Sequence, residues 1–311
     1  MVGPTDWDID IDDEPEDSKD DSSGKFGVDE IVPIQNCTKD AVRDRDGTLI
    51  DRGPSTGWDI LDEYYRPARS LFSVIYGTPS HGKSTYLECM MMNLIKGDSK
   101  WKFCVYSSEN QPVGRYARLL AEKYTLESHT SISVDQVTEA LEDLSDKIFI
   151  LNPAEQNNTI DDVLDMARQV HKQHDIQAVI IDPWGELDHS SRPKNISETE
   201  YIGMKLNSIR RFARETNTHV FLVAHPTKLY RDPKTGKYPV PSAYDISGSA
   251  SFRNKADFCL GIWRENLEDG TPTLVQISKV RFREHGKPGD IKLRYNWRTS
   301  SYEEIPEYDD S

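Results

Sequence analysis

The stretch that decides the fold is Gly77-Thr78-Pro79-Ser80-His81-Gly82-Lys83-Ser84, which satisfies the pattern GxxxxGK[ST] in full. An apolar run, 71–76, precedes it, and a segment of helical periodicity, 83–95, follows it. In such a loop the main-chain N–H groups surround phosphate groups, and the helix directs its positive end at them. The pattern therefore predicts a phosphate-binding loop at the carboxyl end of a buried strand.

Two side chains of this loop have roles that follow from the pattern. We expect Lys83 to bridge the β- and γ-phosphates of a bound nucleotide and the Ser84 hydroxyl to bind Mg²⁺. The predicted cofactors are therefore ATP and Mg²⁺. The predicted nucleotide contacts in this segment are Gly77, Thr78, Pro79, Ser80, His81, Gly82, Lys83, Ser84 and Thr85.

Outside the loop, short apolar runs alternate with segments of helical periodicity, as buried parallel strands and crossover helices do. The predicted strands cover 71–76, 102–107, 147–151, 177–181 and 219–224, and the predicted helices 83–95, 112–124, 159–174 and 198–215. Three later runs, 258–264, 274–281 and 291–295, are expected to extend the sheet with antiparallel strands. The predicted fold class is α/β, with a mostly parallel central sheet flanked by helices.

The two ends of the chain differ from its middle in charge. Residues 1–30 contain twelve acids and two lysines, too polar a composition to fold, so we predict a disordered acidic tail. We assign 31–54 to a linker with a candidate short helix, 55–302 to the ATPase domain and 303–311 to an acidic C-terminal tail. Residues 31–300 hold 36 acids and 36 bases, so the net charge of −15 does not argue against nucleic-acid binding by the core.

Cysteine spacing and hydropathy indicate the cellular compartment of the protein. Cys37, Cys89, Cys104 and Cys259 form no CxxC pair, which indicates reduced thiols and not a disulfide framework or a zinc site. No apolar run approaches the roughly 20 residues that cross a bilayer, and the acid-rich N-terminus is unlike a signal peptide. These observations predict a cytoplasmic protein without membrane association.

Three more polar residues end predicted strands, and ligands of open α/β sheets lie at the carboxyl ends of the strands. Asp182, after the run 178–181, could hold the Mg²⁺ shell; the alternative is a cap of the turn before Pro183. Glu109, after the second strand, could orient and deprotonate the attacking water, although by itself it could be a helix cap. His225, after the fifth strand, could bind the γ-phosphate or be a structural histidine.

With these positions in order, the chain resembles the RecA-like motor of DnaB-type replicative DNA helicases, in the branch of Twinkle-like proteins and phage primase–helicases. The resemblance covers about residues 55–302 and implies a RecA-like P-loop fold. The segments that carry it, besides the phosphate loop, are Ser55-Thr56-Gly57-Trp58-Asp59-Ile60-Leu61-Asp62, Ser107-Ser108-Glu109-Asn110, Ile181-Asp182-Pro183-Trp184, Val223-Ala224-His225-Pro226-Thr227-Lys228, Asp245-Ile246-Ser247-Gly248-Ser249-Ala250 and Lys279-Val280-Arg281-Phe282.

The resemblance implies a motor that hydrolyses ATP, moves 5′ to 3′ on single-stranded DNA as a hexameric ring, and unwinds duplex. Lys279 and Arg281 are spaced i, i+2 and point the same way on a strand. By the resemblance they reach the γ-phosphate of the neighbouring subunit, with Arg281 as the arginine finger. Arg264 and Tyr295 resemble the positions that flank the adenine.

Single-stranded DNA is expected to contact loops that project into the ring channel. The later of the two expected loops, 226–244, is rich in bases that suit phosphates, and the turn 248–251 after it offers main-chain donors; the earlier loop is 185–195. Contacts of this kind go to the DNA backbone, so we predict little sequence preference. Loop charges also occur for solubility alone, which is the alternative. The predicted DNA contacts are Lys228, Arg231, Lys234, Lys237, Gly248, Ser249, Arg253 and Lys255, and an earlier loop carries His189, Arg192 and Lys194.

Two other functions compete with the helicase motor. One is a RecA-like strand-exchange or helicase-loading ATPase, and the other is a nucleotide-gated interaction module. A primase or a polymerase at the replication fork is a candidate partner. Many relatives carry an N-terminal primase domain, for which 1–54 has no room, so the sequence is either a helicase-only protein or a fragment of a longer chain.

Overall fold

The computed structural model describes residues 52–97, 99–153, 158–227, 239–246, 250–265 and 270–305. The predicted acidic tail, almost all of the predicted linker with its candidate helix, and residues 306–311 lie outside those ranges. None of the helices in these ranges combines the length and the apolar character that crossing a bilayer requires.

Nine strands and seven α-helices form within the described ranges. The strands are β1 Phe72–Tyr76, β2 Phe103–Ser107, β3 Ile148–Leu151, β4 Ala178–Asp182, β5 His219–Ala224, β6 Phe258–Arg264, β7 Thr273–Val280, β8 Gly289–Asn296 and β9 Ser301–Glu304. The α-helices are α1 Asp59–Asp62, α2 Lys83–Lys96, α3 Val113–Thr125, α4 Val134–Leu144, α5 Ile160–His174, α6 Glu198–Glu215 and α7 Ser251–Lys255. Two 3₁₀ turns cover Trp184–Glu186 and Arg283–His285.

All nine strands belong to one sheet, in the order β3-β2-β4-β5-β1-β6-β7-β8-β9. The first six strands in that order run parallel, and the pairs β6–β7, β7–β8 and β8–β9 are antiparallel. This arrangement confirms the predicted α/β fold, a mostly parallel sheet that antiparallel C-terminal strands extend.

Side chains of the central strands alternate between two apolar cores, one on each face of the sheet. In β2, Phe103 and Val105 pack into a core with α2 and α3, whereas Cys104 and Tyr106 pack into a second core with α5 and α6. A strand alternates its side chains, and apolar residues at successive positions therefore require helices on both faces. The uninterrupted apolar runs of the sequence have this physical cause.

The parallel register brings the ends of neighbouring strands together at one edge. Tyr76 of β1 pairs with Ala224 of β5, so Gly77 and His225 leave the sheet side by side. Crossover connections in an open α/β sheet leave such an edge accessible to ligands. The phosphate loop therefore starts at the edge where the predicted site lies.

Within the described ranges, observed element boundaries lie within two residues of the predicted ones for every predicted strand and helix. Arg281, predicted to lie inside a strand, is the first residue after β7. Helices α1, α4 and α7 and strand β9 were not predicted from the sequence.

Candidate nucleotide site

Two glycines shape the loop between β1 and α2. Gly77 and Gly82 have positive φ angles of 155° and 89°. A Cβ on Gly77 would lie 2.2 Å from the Ile262 carbonyl oxygen, and one on Gly82 would lie 2.4 Å from the Tyr302 hydroxyl oxygen. Only glycine fits both the backbone angles and the space, so these two positions hold the loop in shape.

Helix α2 begins with no side chain that caps its N-terminus, because its N-cap residue is Gly82. Helices α4, α5 and α6 each begin with a capping box, headed by Ser133, Thr159 and Ser197. The first N–H groups of any helix lack partners inside the helix. At α2 no side chain occupies these N–H groups, so they can donate hydrogen bonds to an anion such as a phosphate.

Lys83 supplies a buried positive charge at the start of α2. The residue is only 5% exposed, and its ammonium donates a hydrogen bond to the Thr78 carbonyl oxygen at 3.1 Å. Burial lowers the pKa of Lys83 to about 8, against the opposing charges of Asp182 and Glu109. A phosphate next to this ammonium would relieve its desolvation, so the residue fits a nucleotide.

Ser84 and Asp182 form an oxygen-donor pair beside that ammonium. The Ser84 hydroxyl donates a hydrogen bond to the Asp182 carboxylate, which is buried at the end of β4. Burial raises the pKa of Asp182 to about 6, while the Ser84 hydrogen bond lowers it. A hydroxyl and a carboxylate are hard ligands that suit Mg²⁺, which takes one or two protein ligands and keeps several waters.

Glu109 and His225 face each other across the entrance of the site. Glu109 Oε1 lies 3.8 Å from His225 Nε2, beyond direct hydrogen-bond distance. Burial and the nearby charge of Lys83 lower the pKa of His225, so its ring is neutral at pH 7. The Glu109 side chain is 52% exposed and is therefore accessible to a water or a phosphate.

These side chains share one open cavity of about 560 Å³. Asp182 adjoins it through Ser84 and through its electrostatic contact with Glu109. The structure thus brings together the five residues that the sequence assigned to phosphate, metal and water. The cavity is lined by Pro79, Ser80, Gly82, Lys83, Ser84, Thr85, Glu109 and His225.

The two predicted adenine contacts lie on the β6–β9 side of the loop. The Arg264 main-chain N–H donates a hydrogen bond of 3.0 Å to Nδ1 of His81, which ties the end of β6 to the phosphate loop. Tyr295 packs against Tyr302, with ring centroids 5.3 Å apart, and Tyr302 contacts Gly82. Arg264 therefore adjoins the loop directly, whereas Tyr295 is one ring removed from it.

Lys279 and Arg281 point the same way, as their spacing predicted, and both bind the end of α7 in the same chain. The Lys279 ammonium donates hydrogen bonds to the carbonyl oxygens of Arg253 at 2.5 Å and Ala256 at 2.8 Å. Arg281 forms a 3.1 Å ion pair with Asp257, which is 1% exposed. In the single chain, neither side chain belongs to the cavity of its own phosphate loop.

Most of the predicted DNA contacts fall on residues outside the described part of the chain: Lys228, Arg231, Lys234, Lys237, Gly248 and Ser249. Arg253 and Lys255 lie on the short helix α7. In the earlier loop, Nε2 of His189 lies 3.2 Å from the Trp184 carbonyl oxygen and its ring packs on the indole, 4.8 Å between centroids. That histidine therefore has a structural role in the loop.

Two residues that contact predicted site residues escaped the sequence reasoning. Tyr302 contacts Gly82 across 220 positions of sequence, a separation at which no local pattern gives a signal. Asp257 accepts a hydrogen bond from the Phe72 main-chain N–H at 3.1 Å besides pairing with Arg281. In the sequence, Asp257 is an acidic residue directly before the apolar run of β6. An acid at that position is typical of a turn, so it gave no indication of a buried ion pair.

A capless helix after a glycine loop, a buried lysine, a hydroxyl–carboxylate pair and a facing glutamate define a P-loop nucleotide-binding domain of the RecA-like fold. The comparisons with known proteins identify the family. The model of the family "DnaB-like helicase C terminal domain" matches residues 53–304, and the chain belongs to that family.

Two curated relatives agree with this assignment. The chain is 36% identical over 267 residues to the Twinkle homolog protein, chloroplastic/mitochondrial, of Arabidopsis thaliana, an alignment that covers 82% of this chain and 37% of the relative. It is 25% identical over 309 residues to the replicative DNA helicase DnaB of Mycoplasma genitalium, covering 92% of this chain and 63% of the relative. The chain thus spans less than two thirds of the length of either protein.

Solved structures show the same fold at low sequence identity. An ATPase domain of known structure superposes with a TM-score of 0.68 at 20% identity, covering 84% of this chain and 93% of that domain. A DnaB-like replicative helicase, solved in a study of its interactions with primase, superposes with a TM-score of 0.67 at 19% identity, covering 93% of this chain and 68% of that one. The RadB recombinase matches less closely, with a TM-score of 0.54 at 13% identity over 81% of this chain and 99% of that one.

Proposed function

We propose that this chain is the ATP-hydrolysing motor of a replicative DNA helicase, which moves along single-stranded DNA and separates the strands of a duplex. The observation that carries the proposal is that Lys83, Ser84 and Glu109 line one cavity and that Asp182 adjoins it through its hydrogen bond with Ser84. Membership of the DnaB-like helicase C-terminal domain family supports coupling this site to DNA rather than to another substrate.

Each residue of the cavity has a defined task in this proposal. Lys83 and the first N–H groups of α2 bind the phosphates, and Ser84 and Asp182 hold the metal. Bound Mg²⁺ would neutralise the charge that develops on the phosphates. Glu109 orients the attacking water and accepts its proton, and neutral His225 donates a hydrogen bond toward the γ-phosphate.

A direct test measures steady-state ATP hydrolysis by the assembled protein with and without a single-stranded oligonucleotide. We expect the oligonucleotide to raise the rate, because a motor couples turnover to its track. A rate indifferent to single-stranded DNA would contradict the motor and would favour a nucleotide-gated interaction module.

The proposed assembly is a hexameric ring in which Arg281 acts on the nucleotide of the neighbouring subunit, with Lys279 beside it. A guanidinium delivered across an interface stabilises transition-state charge and makes hydrolysis depend on assembly. In the single chain Arg281 forms an ion pair with Asp257. To act on the neighbouring nucleotide, the Arg281 side chain must extend from this position to the subunit interface.

Mixing two inactive variants tests this assignment. Arg281→Ala should bind nucleotide without hydrolysing it, and Lys83→Ala should lose tight nucleotide binding. In mixed rings some interfaces combine an intact Lys83 with an intact Arg281, so part of the activity should return. Verified mixed rings without any recovered activity would show that Arg281 does not act in trans.

Other features of the motor belong to the same proposal. Lys228, Arg231, Lys234, Lys237, Gly248, Ser249, Arg253 and Lys255 would contact the DNA backbone, and movement would be 5′ to 3′. Arg264 and Tyr295 would flank the adenine. Electron micrographs with an ATP analogue and an oligonucleotide should show closed rings; helical filaments would favour a RecA-like strand-exchange ATPase.

The partner and the compartment are the least specific parts of the proposal. A primase or a polymerase at the fork is the expected class of partner; one solved relative was described together with its interactions with primase. Three buried free cysteines fit a reducing compartment, and we propose the cytoplasm of a bacterium or a phage-infected cell. The name of the Arabidopsis relative places that protein in chloroplasts or mitochondria, and cell fractionation would distinguish an organelle.

A further inference from the structure

An exposed tyrosine lies on an anchored turn that, in sequence, falls between the predicted DNA contacts Lys237 and Gly248. Tyr244 is 58% exposed, whereas its neighbours Ala243 and Ile246 are 1% and 2% exposed. Large aromatic side chains contribute most when they are buried, so an exposed ring held between buried anchors is unusual for a purely structural residue.

Hydrogen bonds fix the main chain of this turn. The Asp245 carboxylate accepts from the main-chain N–H of Ser242 at 2.8 Å and from its hydroxyl at 2.9 Å. The Asp245 N–H in turn donates to the Ser242 carbonyl oxygen at 3.0 Å. The ring of Tyr244 is therefore presented from a rigid base, which limits the entropy lost when a ligand packs on it.

Arg253 covers one face of this ring. Its guanidinium carbon lies 4.7 Å from the ring centroid, and Nη1 donates a 2.9 Å hydrogen bond to the tyrosine hydroxyl. In the described part of the chain no other ring or cation packs on Tyr244. A ring that is 58% exposed and backed by a cation has the form of a platform for a flat base on an anionic backbone.

The same turn is joined to the strand that leads to the nucleotide cavity. Thr227 N–H donates a 2.6 Å hydrogen bond to the Asp245 carbonyl oxygen, and Pro226 and Ile246 form an antiparallel bridge. Pro226 directly follows His225, which lines the cavity. A ligand bound to Tyr244 would therefore act on a turn that is hydrogen-bonded to the main chain next to His225, a residue that lines the nucleotide cavity.

We propose that Tyr244 is a stacking platform for one base of single-stranded DNA, with Arg253 holding the ring from behind. This inference rests on the proposed function and adds a contact to a base where the other predicted contacts go to the backbone. Stacking tolerates every base, because each has a π-face, so it is compatible with little sequence preference.

Binding of two fluorescently labelled oligonucleotides tests the platform: oligo-dT and an abasic oligonucleotide of the same length and charge. Tyr244→Ala should weaken binding of oligo-dT by about ten- to a hundredfold and leave binding of the abasic strand nearly unchanged. Tyr244→Phe keeps the ring and should bind oligo-dT almost as the wild type does. Crosslinking to 5-iodouracil DNA, mapped by mass spectrometry, should mark Tyr244.

A matched control exists several strands away along the sheet. Trp297 is 55% exposed and also has a guanidinium, that of Arg298, over its ring at 5.3 Å. It follows β8, which is four strands from β5, or about 19 Å at the usual strand spacing. Trp297→Ala should therefore bind oligo-dT as the wild type does, and an equal loss in both variants would overturn the platform.

The outcomes separate this inference from the function it rests on. If wild-type protein binds no oligonucleotide, both are wrong. If it binds oligo-dT and Tyr244→Ala weakens oligo-dT and abasic DNA alike, or native mass spectrometry shows that Tyr244→Ala no longer assembles, the platform is wrong and the motor proposal stands.

Discussion

Strand β5 begins with one histidine and is followed directly by another, and the two differ in their burial and in their hydrogen-bond partners. His219, its first residue, is fully buried, whereas the side chain of His225, just after its last residue, is 28% exposed. Both imidazoles are neutral at pH 7 because burial lowers the pKa of each. What distinguishes them is where their hydrogen-bond partners come from.

At the amino edge of the sheet the partners are all within the chain. His219 Nδ1 donates to the Ala68 carbonyl oxygen at 2.6 Å, so Nε2 accepts from the Ser73 hydroxyl at 2.9 Å. Ser73 then accepts from the Tyr65 hydroxyl at 2.8 Å. This buried polar network is completed within the chain and stabilises one packing of the core.

At the carboxyl edge polar groups remain incompletely paired. The buried Lys83 ammonium binds only a carbonyl oxygen among its described hydrogen bonds, and Glu109 stands 3.8 Å from His225. Buried polar groups normally have partners, so the deficit at this edge points to a ligand. One strand thus connects a structural network to a binding site, and each can be perturbed separately.

The largest expected effect comes from removing the cation at the carboxyl edge. Lys83→Ala should lower the rate of ATP hydrolysis by about 10³-fold, because the phosphates lose a preorganised charge. Its melting temperature should stay unchanged or rise, since a desolvated charge is removed. Lys96→Ala, in the last turn of the same helix, is the control and should hydrolyse ATP normally. An unchanged rate of ATP hydrolysis in Lys83→Ala would contradict a nucleotide site at the carboxyl edge of the sheet.

The next effect separates catalysis from binding at the same edge. Glu109→Gln should reduce hydrolysis by about 10²- to 10³-fold, because the attacking water loses its base, with nucleotide affinity nearly unchanged. Stopped-flow turnover and titration with a fluorescent ATP analogue measure the two quantities. Glu139→Gln, an exposed carboxylate of α4, should match the wild type. An equal loss of affinity would make Glu109 a binding residue instead.

A pH titration of stability probes the amino edge. Burial lowers the pKa of His219 to about 3 from 6.5, so below pH 6.5 the unfolded chain takes up a proton that the folded chain refuses. Stability from this residue is complete above pH 6.5, and about 2 kcal/mol of it should be lost by pH 5. His219→Gln should flatten that slope in urea unfolding, measured as the difference from wild type.

His225→Gln is the control for this pH titration of stability, because it replaces the histidine at the other end of β5. Its pH dependence of unfolding should stay close to that of wild type because the ring is only partly buried. Equal slopes in wild type and His219→Gln would mean that His219 titrates normally and that the buried network does not constrain it.

The smallest expected effect lies at the end of the buried network. Tyr65→Phe removes the hydroxyl that donates to Ser73 and should cost about 1 kcal/mol of unfolding free energy. ATP hydrolysis should be unaffected, since Ser73 and His219 remain paired. A loss of hydrolysis with unchanged stability would contradict the separation between the two edges.

The site residues that the sequence could predict are those whose signals are local. Asp182 ends an apolar run and Lys83 belongs to a continuous motif, so strand order alone brings them to one edge. Helix α4 escaped prediction because few of its residues are buried: Val134 is 79% exposed, and Ala140 and Leu144 are its buried residues. The capping box of Ser133 was the signal that could have revealed it.

Contacts between distant segments had no signal of that kind. Strand β9 is a four-residue edge strand with one buried residue, Tyr302, and nothing local connects that ring to Gly82. The pairing of Arg281 with Asp257 was missed for a related reason: the resemblance directed Arg281 toward a neighbouring subunit, and its anchor inside the chain follows only from the register of β6 and β7. Packing across the sheet determines such contacts.

A structure of the assembled protein with Mg²⁺ and a non-hydrolysable ATP analogue tests the account most directly. It should place the metal about 2.1 Å from Ser84 Oγ, with Asp182 in the metal shell, the Lys83 ammonium on the phosphates and Glu109 facing the γ-phosphate. A nucleotide bound away from the α2 N-terminus, or Glu109 and Asp182 both turned away from it, would contradict the account.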